Sequence, residues 1–286
     1  MLPPFELSEP QSLTDALRAL AGNGVSRPLA GATNLVPDLR SKLETCRQFI
    51  SLEALDELRY IKRDDGRVTL GARTTIADIL DDPGMKTDAP SLYAATEIFA
   101  GVMVRTAATI GGNICCGSPS ADSVPALLTL DAEVTLNSAG GQRTVSLDEF
   151  YIDYKKSVMR ADELLTSVSW NVPPKNSANL FYKLARRKGD AITVTGVAVM
   201  IAADDGSCSS ARIALGSVGP TIFRARAAED LLTGKALSEH IIEQAARAAA
   251  DQCSPIDDIR ASANYRLQTA FSLTRRLLTQ AWKQVA

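Results

Sequence analysis

The residue types that could do chemistry gather in three short runs. The first is Thr109-Ile110-Gly111-Gly112-Asn113, followed by Pro119-Ser120-Ala121-Asp122. Adjacent glycines let backbone amides approach a bulky ligand and let the chain visit positive φ. Successive exposed N–H groups form a concavity that suits a phosphate or pyrophosphate. Asn113 can donate and accept, and Asp122 can accept from ligand hydroxyls. The plainer reading is two turns around an ordinary loop, since glycine-rich stretches are common turn signals.

The second run is Leu29-Ala30-Gly31-Ala32-Thr33-Asn34. A strand that enters Gly and small residues brings its backbone close to an anion, and Thr33 and Asn34 add donors. A simple strand-to-helix turn is the alternative. The run matches neither the G-x-G-x-x-G dinucleotide pattern nor the Gly-Lys-Ser/Thr phosphate loop. The third run is Phe181 to Asp190, with Lys183, Arg186, Arg187 and Lys188. A Lys or Arg there could stabilise negative charge on a reduced flavin, or the run could be a solvated basic hairpin end.

Other chemistries find little support. The five cysteines, Cys46, Cys115, Cys116, Cys208 and Cys253, form no C-x-x-C pair. That argues against a disulfide framework and against a zinc or iron–sulfur site, and it fits a reducing compartment. The one histidine, His240, lies in an amphipathic pattern and is expected on or near a helix surface. No nucleophile motif accompanies it.

These runs need elements to hold them. Ser12-Leu13-Thr14-Asp15 opens a capped helix through Leu20, ended by Gly22 and Gly24. Arg27–Ala30 and Phe49–Leu52 read as strands, with a separate segment from Leu35 to Leu43. Asp64-Asp65-Gly66 reads as a hairpin turn between Tyr60-Ile61 and Val68–Leu70. Helices are expected from Thr75 and over Ser91–Phe99. Ala132–Leu136 and Leu164–Trp170 read as strands, and the apolar stretch Val124–Leu130 reads as buried. The stretch Val172 to Ser177 has linker composition and marks a domain boundary. Beyond it come strands at Asn179–Leu184, Ala191–Ile201 and Ala211–Gly216, then helical periodicity over Ala225–Leu232, Ser238–Ala250 and Tyr265–Val285.

Composition bounds the function class. With 31 basic and 33 acidic residues the formal net charge is −2, so no large basic field points to nucleic acid. At 286 residues the chain accommodates two domains. No apolar run is long enough to span a membrane, and residues 1–6 lack the pattern of a secretory signal.

Taken together, in this order and spacing, the three runs resemble the FAD-binding subunit of the molybdenum hydroxylases. That is the family of carbon monoxide dehydrogenase, xanthine dehydrogenase and the bacterial N-heteroaromatic oxidoreductases. Gly31-Ala32-Thr33-Asn34-Leu35 resembles the family's first flavin loop, A-G-G-T-D-L. Thr109–Asn113 with Pro119-x-x-Asp122 resembles the second, more specific loop. Arg160–Leu165 resembles the stretch before the family's domain boundary, and Lys183, Arg187 and Asp190 its K-x-x-x-R-x-x-D segment. Arg260-Ala261-Ser262-Ala263-Asn264-Tyr265-Arg266 resembles its R-x-S-A-x-Y-R. The likeness covers nearly the whole chain.

The resemblance implies an α+β fold. An FAD-binding domain over residues 1–174, of two α/β subdomains split near 55–60, would precede a C-terminal domain over 178–286, a small antiparallel sheet with helices. It implies that Ala30, Gly31, Ala32, Thr33 and Asn34 wrap the FAD pyrophosphate. Thr109, Gly112 and Asn113 would complete the cradle, and Asp122 would take a ribose or ribityl hydroxyl. Phe99 would lie near the adenine half, Leu165 beside the flavin, and Lys183 would face the ring system. No side chain of this chain would be catalytic and none would bind metal. Electrons would pass from [2Fe-2S] clusters on a small subunit through FAD to an external acceptor, while a large subunit with the molybdenum cofactor transforms the substrate. The implied assembly is a cytoplasmic dimer of heterotrimers. The alternative is a free-standing FAD oxidase acting on its own small substrate. Two departures stand out. Ala32 replaces a usual glycine, so it needs either negative φ or a left-handed penalty. Cys115-Cys116 is unusual here, and both read as small packing residues.

Overall fold

The computed structural model describes residues 2–22 and 25–286. The chain opens with strand β1 (Glu6–Ser8), helix α1 (Leu13–Ala21), β2 (Arg27–Leu29), α2 (Leu35–Arg40) and β3 (Gln48–Ser51). The three strands form a parallel sheet in the order β1-β3-β2, with Leu7 opposite Phe49 and Pro28 opposite Ile50. Pro28 is tolerated because β2 is an edge strand. Helix α1 starts as its sequence suggests, with the Ser12 side chain accepting from Asp15 N. It buries Ala16, Leu17 and Leu20 against Ile50, Leu52, Leu55 and Leu58. Gly22 is its C-cap, and the expected stop at Gly24 lies outside the described residues.

A hairpin of β4 (Ile61–Asp64) and β5 (Arg67–Gly71) follows. Its turn sets Asp65 and Gly66 at φ +49° and +76°, the pair of positive values that a two-residue turn of this twist demands. Six helices come next: α3 (Ile76–Asp81), α4 (Met85–Asp88), α5 (Pro90–Glu97), α6 (Val102–Ala107), α7 (Ile110–Cys115) and α8 (Ser123–Thr129). The chain then adds β6 (Glu133–Ser138), β7 (Gly141–Ser146), a small hairpin of β8 (Tyr151–Asp153) and β9 (Lys156–Ser157), and β10 (Leu164–Asn171). The second sheet is antiparallel, in the order β4-β5-β10-β6-β7.

The third sheet is β11 (Ser177–Ala185), β12 (Thr193–Asp204), β13 (Ser207–Gly216) and β14 (Phe223–Arg224), antiparallel and in chain order. Helices α9 (Arg226–Leu232), α10 (Glu239–Asp251) and α11 (Ala263–Val285) complete the chain. Strand β12 is buried on both faces. Val197, Val199 and Ile201 pack on α9 to α11, while the intervening Ala198 packs with α8 residues such as Leu127. Period-two alternation explains the split, with large β-branched residues on one face and small ones on the other. Helices α5 and α8 thus cover one face of the third sheet, and a single core runs from the second sheet into the third.

The expected α+β architecture is present. The sequence reading placed no element at α4 or α6 and read the start of α7 as a loop. Each is no longer than six residues, too short for a 3.6-residue period to repeat twice. Among the described residues no helix is long and apolar enough to cross a membrane.

Candidate functional site

The first loop leaves the edge strand β2 and presses at once on another segment. A Cβ on Gly31 would lie 1.7 Å from Ala107 O, so glycine is required here by close approach rather than by its φ. Ala32 takes the left-handed conformation, φ +54°. For an alanine that costs on the order of 1 kcal/mol. The chain then turns right-handed into α2, with Val36 N donating to Ala32 O at 3.0 Å and Asp38 N to Asn34 O at 3.1 Å. Among the described residues, the amides of Ala32, Thr33, Asn34 and Leu35 have no protein acceptor. A left-handed residue followed by right-handed ones makes a concave row of donors, an anion nest. Thr33 and Asn34 are exposed beside it. Asn34 Nδ2 is committed to Asp38 Oδ2 at 2.8 Å, and Lys155 Nζ lies 3.8 Å from the same oxygen.

The second loop is built differently. Its backbone runs against the segment after β5: Ile110 N donates to Thr74 O at 2.9 Å and Gly111 N to Ala72 O at 3.0 Å. Thr109 caps α7, its Oγ1 accepting from Gly112 N at 3.0 Å, while Asn113 N donates to Thr109 O at 2.9 Å. Every amide from Ile110 to Asn113 is therefore already spent. This corrects the expectation that the paired glycines expose a row of amides. They serve packing instead: a Cβ on Gly111 would meet Ala72 Cβ at 2.7 Å, and one on Gly112 would meet Thr109 Oγ1 at 2.8 Å. What this loop can offer a ligand is the exposed surface of Gly112, the Thr109 hydroxyl proton and the Asn113 amide. Asn113 Oδ1 accepts from Ser123 Oγ at 2.6 Å, which leaves both Nδ2 protons without a partner among the described residues.

The two loops converge. Gly31 sits on Ala107 and Ala108, two residues before Thr109. The β8–β9 hairpin closes over the far end of α7: Tyr151 Oη donates to Ile114 O at 2.9 Å, and Gly117, at φ +61°, packs under Lys155. Cys115 keeps exposed surface, yet its Sγ lies 3.8 Å from Met159 Sδ and burial pushes the thiol up to about 12. Burial also raises Cys116. Both remain protonated thiols at neutral pH, which is the behaviour of packing residues rather than ligands.

Asp122 and Lys183 meet in the seam between the two halves of the chain. Lys183 Nζ donates to Asp122 Oδ2 at 2.6 Å, with the two side chains 6% and 9% exposed. Thr193 Oγ1 donates to Asp122 Oδ1 at 2.5 Å. Burial pushes the Asp122 carboxyl above its ordinary range, against the pull of the Lys183 ammonium and the Thr193 hydroxyl. Asp122 and Lys183 were expected to reach separately toward a ligand; here each satisfies the other. Any ligand group arriving at the seam meets a neutralised pair. Arg187 and Asp190, from the same run as Lys183, stay in the exposed β11–β12 hairpin, where Arg187 Nη2 donates to Asp190 O at 2.8 Å.

Phe99 and Leu165 lie inside the large core of the second sheet, 8% and 2% exposed. His240 is exposed on α10. The sequence reading missed Ser123 and Thr193. Ser123 had the signal of adjacency to Asp122. Thr193 had none, because strand parity puts it on the wrong face, and only a bulge at Val194 turns it toward Asp122.

The donor set fits a pyrophosphate: amides unpaired among the described residues and an exposed Thr33 hydroxyl, with the nearby Asp38 carboxylate hydrogen-bonded by Asn34 and countered by the Lys155 ammonium. Residues 3–174 match the FAD binding domain in molybdopterin dehydrogenase, and residues 180–281 match the CO dehydrogenase flavoprotein C-terminal domain. The chain is 30% identical to the carbon monoxide dehydrogenase medium chain of Hydrogenophaga pseudoflava, over 100% of both chains. It is 31% identical to a putative xanthine dehydrogenase FAD-binding subunit of Escherichia coli K12, over 94% of this chain and 93% of that one. Its fold superposes on a carbon monoxide dehydrogenase structure from H. pseudoflava with a TM-score of 0.96, at 31% identity and full coverage of both chains. The corresponding match to quinoline 2-oxidoreductase from Pseudomonas putida 86 has a TM-score of 0.92, at 29% identity, covering 100% and 99%.

Proposed function

The chain belongs to the family of FAD-binding medium subunits of the molybdenum hydroxylases, and from that premise we propose how its own residues serve that role. It is the flavoprotein part of an oxidoreductase. The likeness extends over both halves of the chain, which favours a subunit of such an enzyme over a free-standing oxidase.

The FAD pyrophosphate is held by the amides of Ala32 to Leu35, with Gly31 setting the loop against Ala107 and Thr33 adding its hydroxyl. From the other side Thr109, Gly112 and Asn113 supply a hydroxyl, an open backbone surface and an amide. Asp122 and Lys183 form the wall of the seam as a neutralised pair, so that ligand hydroxyls meet a carboxylate already oriented by Thr193. Phe99 and Leu165 support the site from the core behind it. When bound, FAD supplies the redox chemistry, taking electrons singly and passing them on in pairs. The protein's part is to bind, orient and shield. The functional division is residues 1–174 for FAD and 178–286 for the lid of the seam.

The partners in this reading are a small subunit with [2Fe-2S] clusters and a large subunit with the molybdenum cofactor, assembled as a dimer of heterotrimers in the cytoplasm. The carrying observation is the row of unpaired amides following left-handed Ala32, pressed against the start of the second loop. Purification of the full chain with its neighbours tests it. FAD released on denaturation, with co-purifying iron–sulfur and molybdenum proteins, is expected. A folded, colourless chain that takes up no added FAD would overturn the reading.

A further inference from the structure

One buried guanidinium governs how the third sheet grips the Pro119–Asp122 segment. Arg266, on the first turn of α11, is 4% exposed. Its Nη1 donates to Val194 O at 2.6 Å and to Ser217 O at 2.9 Å. Its Nη2 donates to Asp258 Oδ1 at 2.9 Å. Asp258 in turn accepts from Arg260 N at 2.8 Å, Arg260 Nη1 at 2.8 Å and Ala261 N at 3.1 Å. Asp258 thus holds Nη2 from behind while Nη1 alone faces both carbonyls.

Both carbonyls it grips belong to irregular backbone. Val194 is the extra residue of the bulge between β11 and β12: Leu184 pairs with Thr195, but Ala185 pairs with Thr193. Without the bulge Thr193 would fall on the opposite face from Lys183. With it, Thr193 shares the face of Lys183 and reaches Asp122 Oδ1. A bulge leaves its own backbone groups without ladder partners, and Arg266 takes the orphaned carbonyl. Ser217 is left-handed, φ +63°, and non-glycine residues hold that conformation only when neighbours enforce it. From there Ser217 N donates to Pro119 O at 2.7 Å, and its Oγ lies 2.7 Å from Ser120 Oγ.

We infer that Arg266 is a positioning residue for the FAD site: by holding the Val194 and Ser217 carbonyls it aims Thr193 at Asp122 and Ser217 at Pro119–Ser120, and so fixes the segment that carries Asp122. The inference rests on the FAD reading above for its functional consequence, and on geometry alone for its structural one. Lysine is a poor replacement, because its one nitrogen would have to serve both the carbonyls that Nη1 holds and the carboxylate that Nη2 holds, from two separate positions on the planar group.

The test uses the full chain and four variants: Arg266→Lys, Thr193→Val, their combination, and Leu277→Ala as a control for general loosening of α11. Residue-resolved amide exchange reads residues 120–123, the amides that follow Pro119. Loss of a charge-assisted hydrogen bond predicts about tenfold faster exchange there in Arg266→Lys. Leu277→Ala is expected to leave that segment at its wild-type rate relative to the second sheet. FAD affinity is expected to fall about tenfold in Arg266→Lys and by no more than that in Thr193→Val, with the double variant no weaker than Arg266→Lys, because the Thr193 contact is one of the two that Arg266 holds. Exchange at 120–123 in Arg266→Lys no faster than in the control would overturn the inference, as would losses that multiply in the double variant. A wild-type chain that binds no FAD would defeat the functional reading instead, and the exchange arm would still decide the positioning role.

Discussion

The two loops of the site look alike in sequence and work by opposite means. Both are runs of glycine and small residues that end in Asn. In the first, Gly31 buys no φ freedom but a contact, and the donors come from Ala32 to Leu35, which the fold leaves unpaired. In the second, the fold uses every amide from Ile110 to Asn113, and only side chains and the bare surface of Gly112 remain for a ligand. A glycine-rich stretch therefore signals close approach of backbone, and what it approaches has to be read from hydrogen bonding.

Variants can break that contrast. The largest effect is expected where the second loop's tail meets the third sheet. Asp122→Asn leaves the Lys183 ammonium buried without a counter-charge, at a cost of roughly 3–5 kcal/mol. Thermal unfolding should show it as a marked fall in Tm, and Lys183→Met in the same background should recover much of the loss.

Gly31→Ala and Gly111→Ala sharpen the comparison directly. At Gly31 the added methyl meets backbone at 1.7 Å, and at Gly111 it meets Ala72 at 2.7 Å. Overpacking of this kind costs about 1–3 kcal/mol or more. Gly31→Ala should abolish FAD retention because it displaces the unpaired amides. Gly111→Ala should lower Tm while leaving measurable FAD affinity. Equal loss of FAD in both would mean that the loops share one role.

A smaller effect concerns pH. Burial alone would raise Asp258, but hydrogen bonds from Arg260, Ala261 and Arg266 outweigh it and hold the carboxyl below the usual range. For an acid depressed in the folded state, the stabilisation is present above its unfolded value of about 3.9 and is lost as pH falls through the folded one. Stability measured down to pH 3 should therefore fall less steeply in Asp258→Asn than in the wild type. The smallest effect belongs to Ala32→Gly. Relief of the left-handed strain should raise stability by up to about 1 kcal/mol without loss of FAD. A fall in FAD affinity would mean that the Ala32 methyl itself touches the ligand.

Much of this was legible in the chain before the fold. The capping of α1 by Ser12, the Asp65-Gly66 turn and the long helices α10 and α11 follow from local chemistry that tertiary contacts do not override. The motifs carry the resemblance to the family, and the α+β architecture is what that resemblance implies. The seam was not legible. Asp122 and Lys183 are 61 residues apart, and nothing local says that two residues expected to face a ligand will neutralise each other. Thr193 was hidden by the bulge that reverses strand parity, and the amides of the second loop by a pairing with Ala72 and Thr74 that no spacing announces. Arg266 lay in a motif that could be quoted without a mechanism until its two carbonyls were in view.

The central claim is that the first loop binds FAD phosphate through backbone amides while the second does so through side chains. Residue-resolved amide exchange of the full chain, with and without FAD, tests it most directly. The account predicts that FAD slows exchange at Ala32, Thr33, Asn34 and Leu35, and leaves Ile110 to Asn113, already hydrogen-bonded, unchanged. Protection gained at 110–113 with none at 32–35 would contradict it.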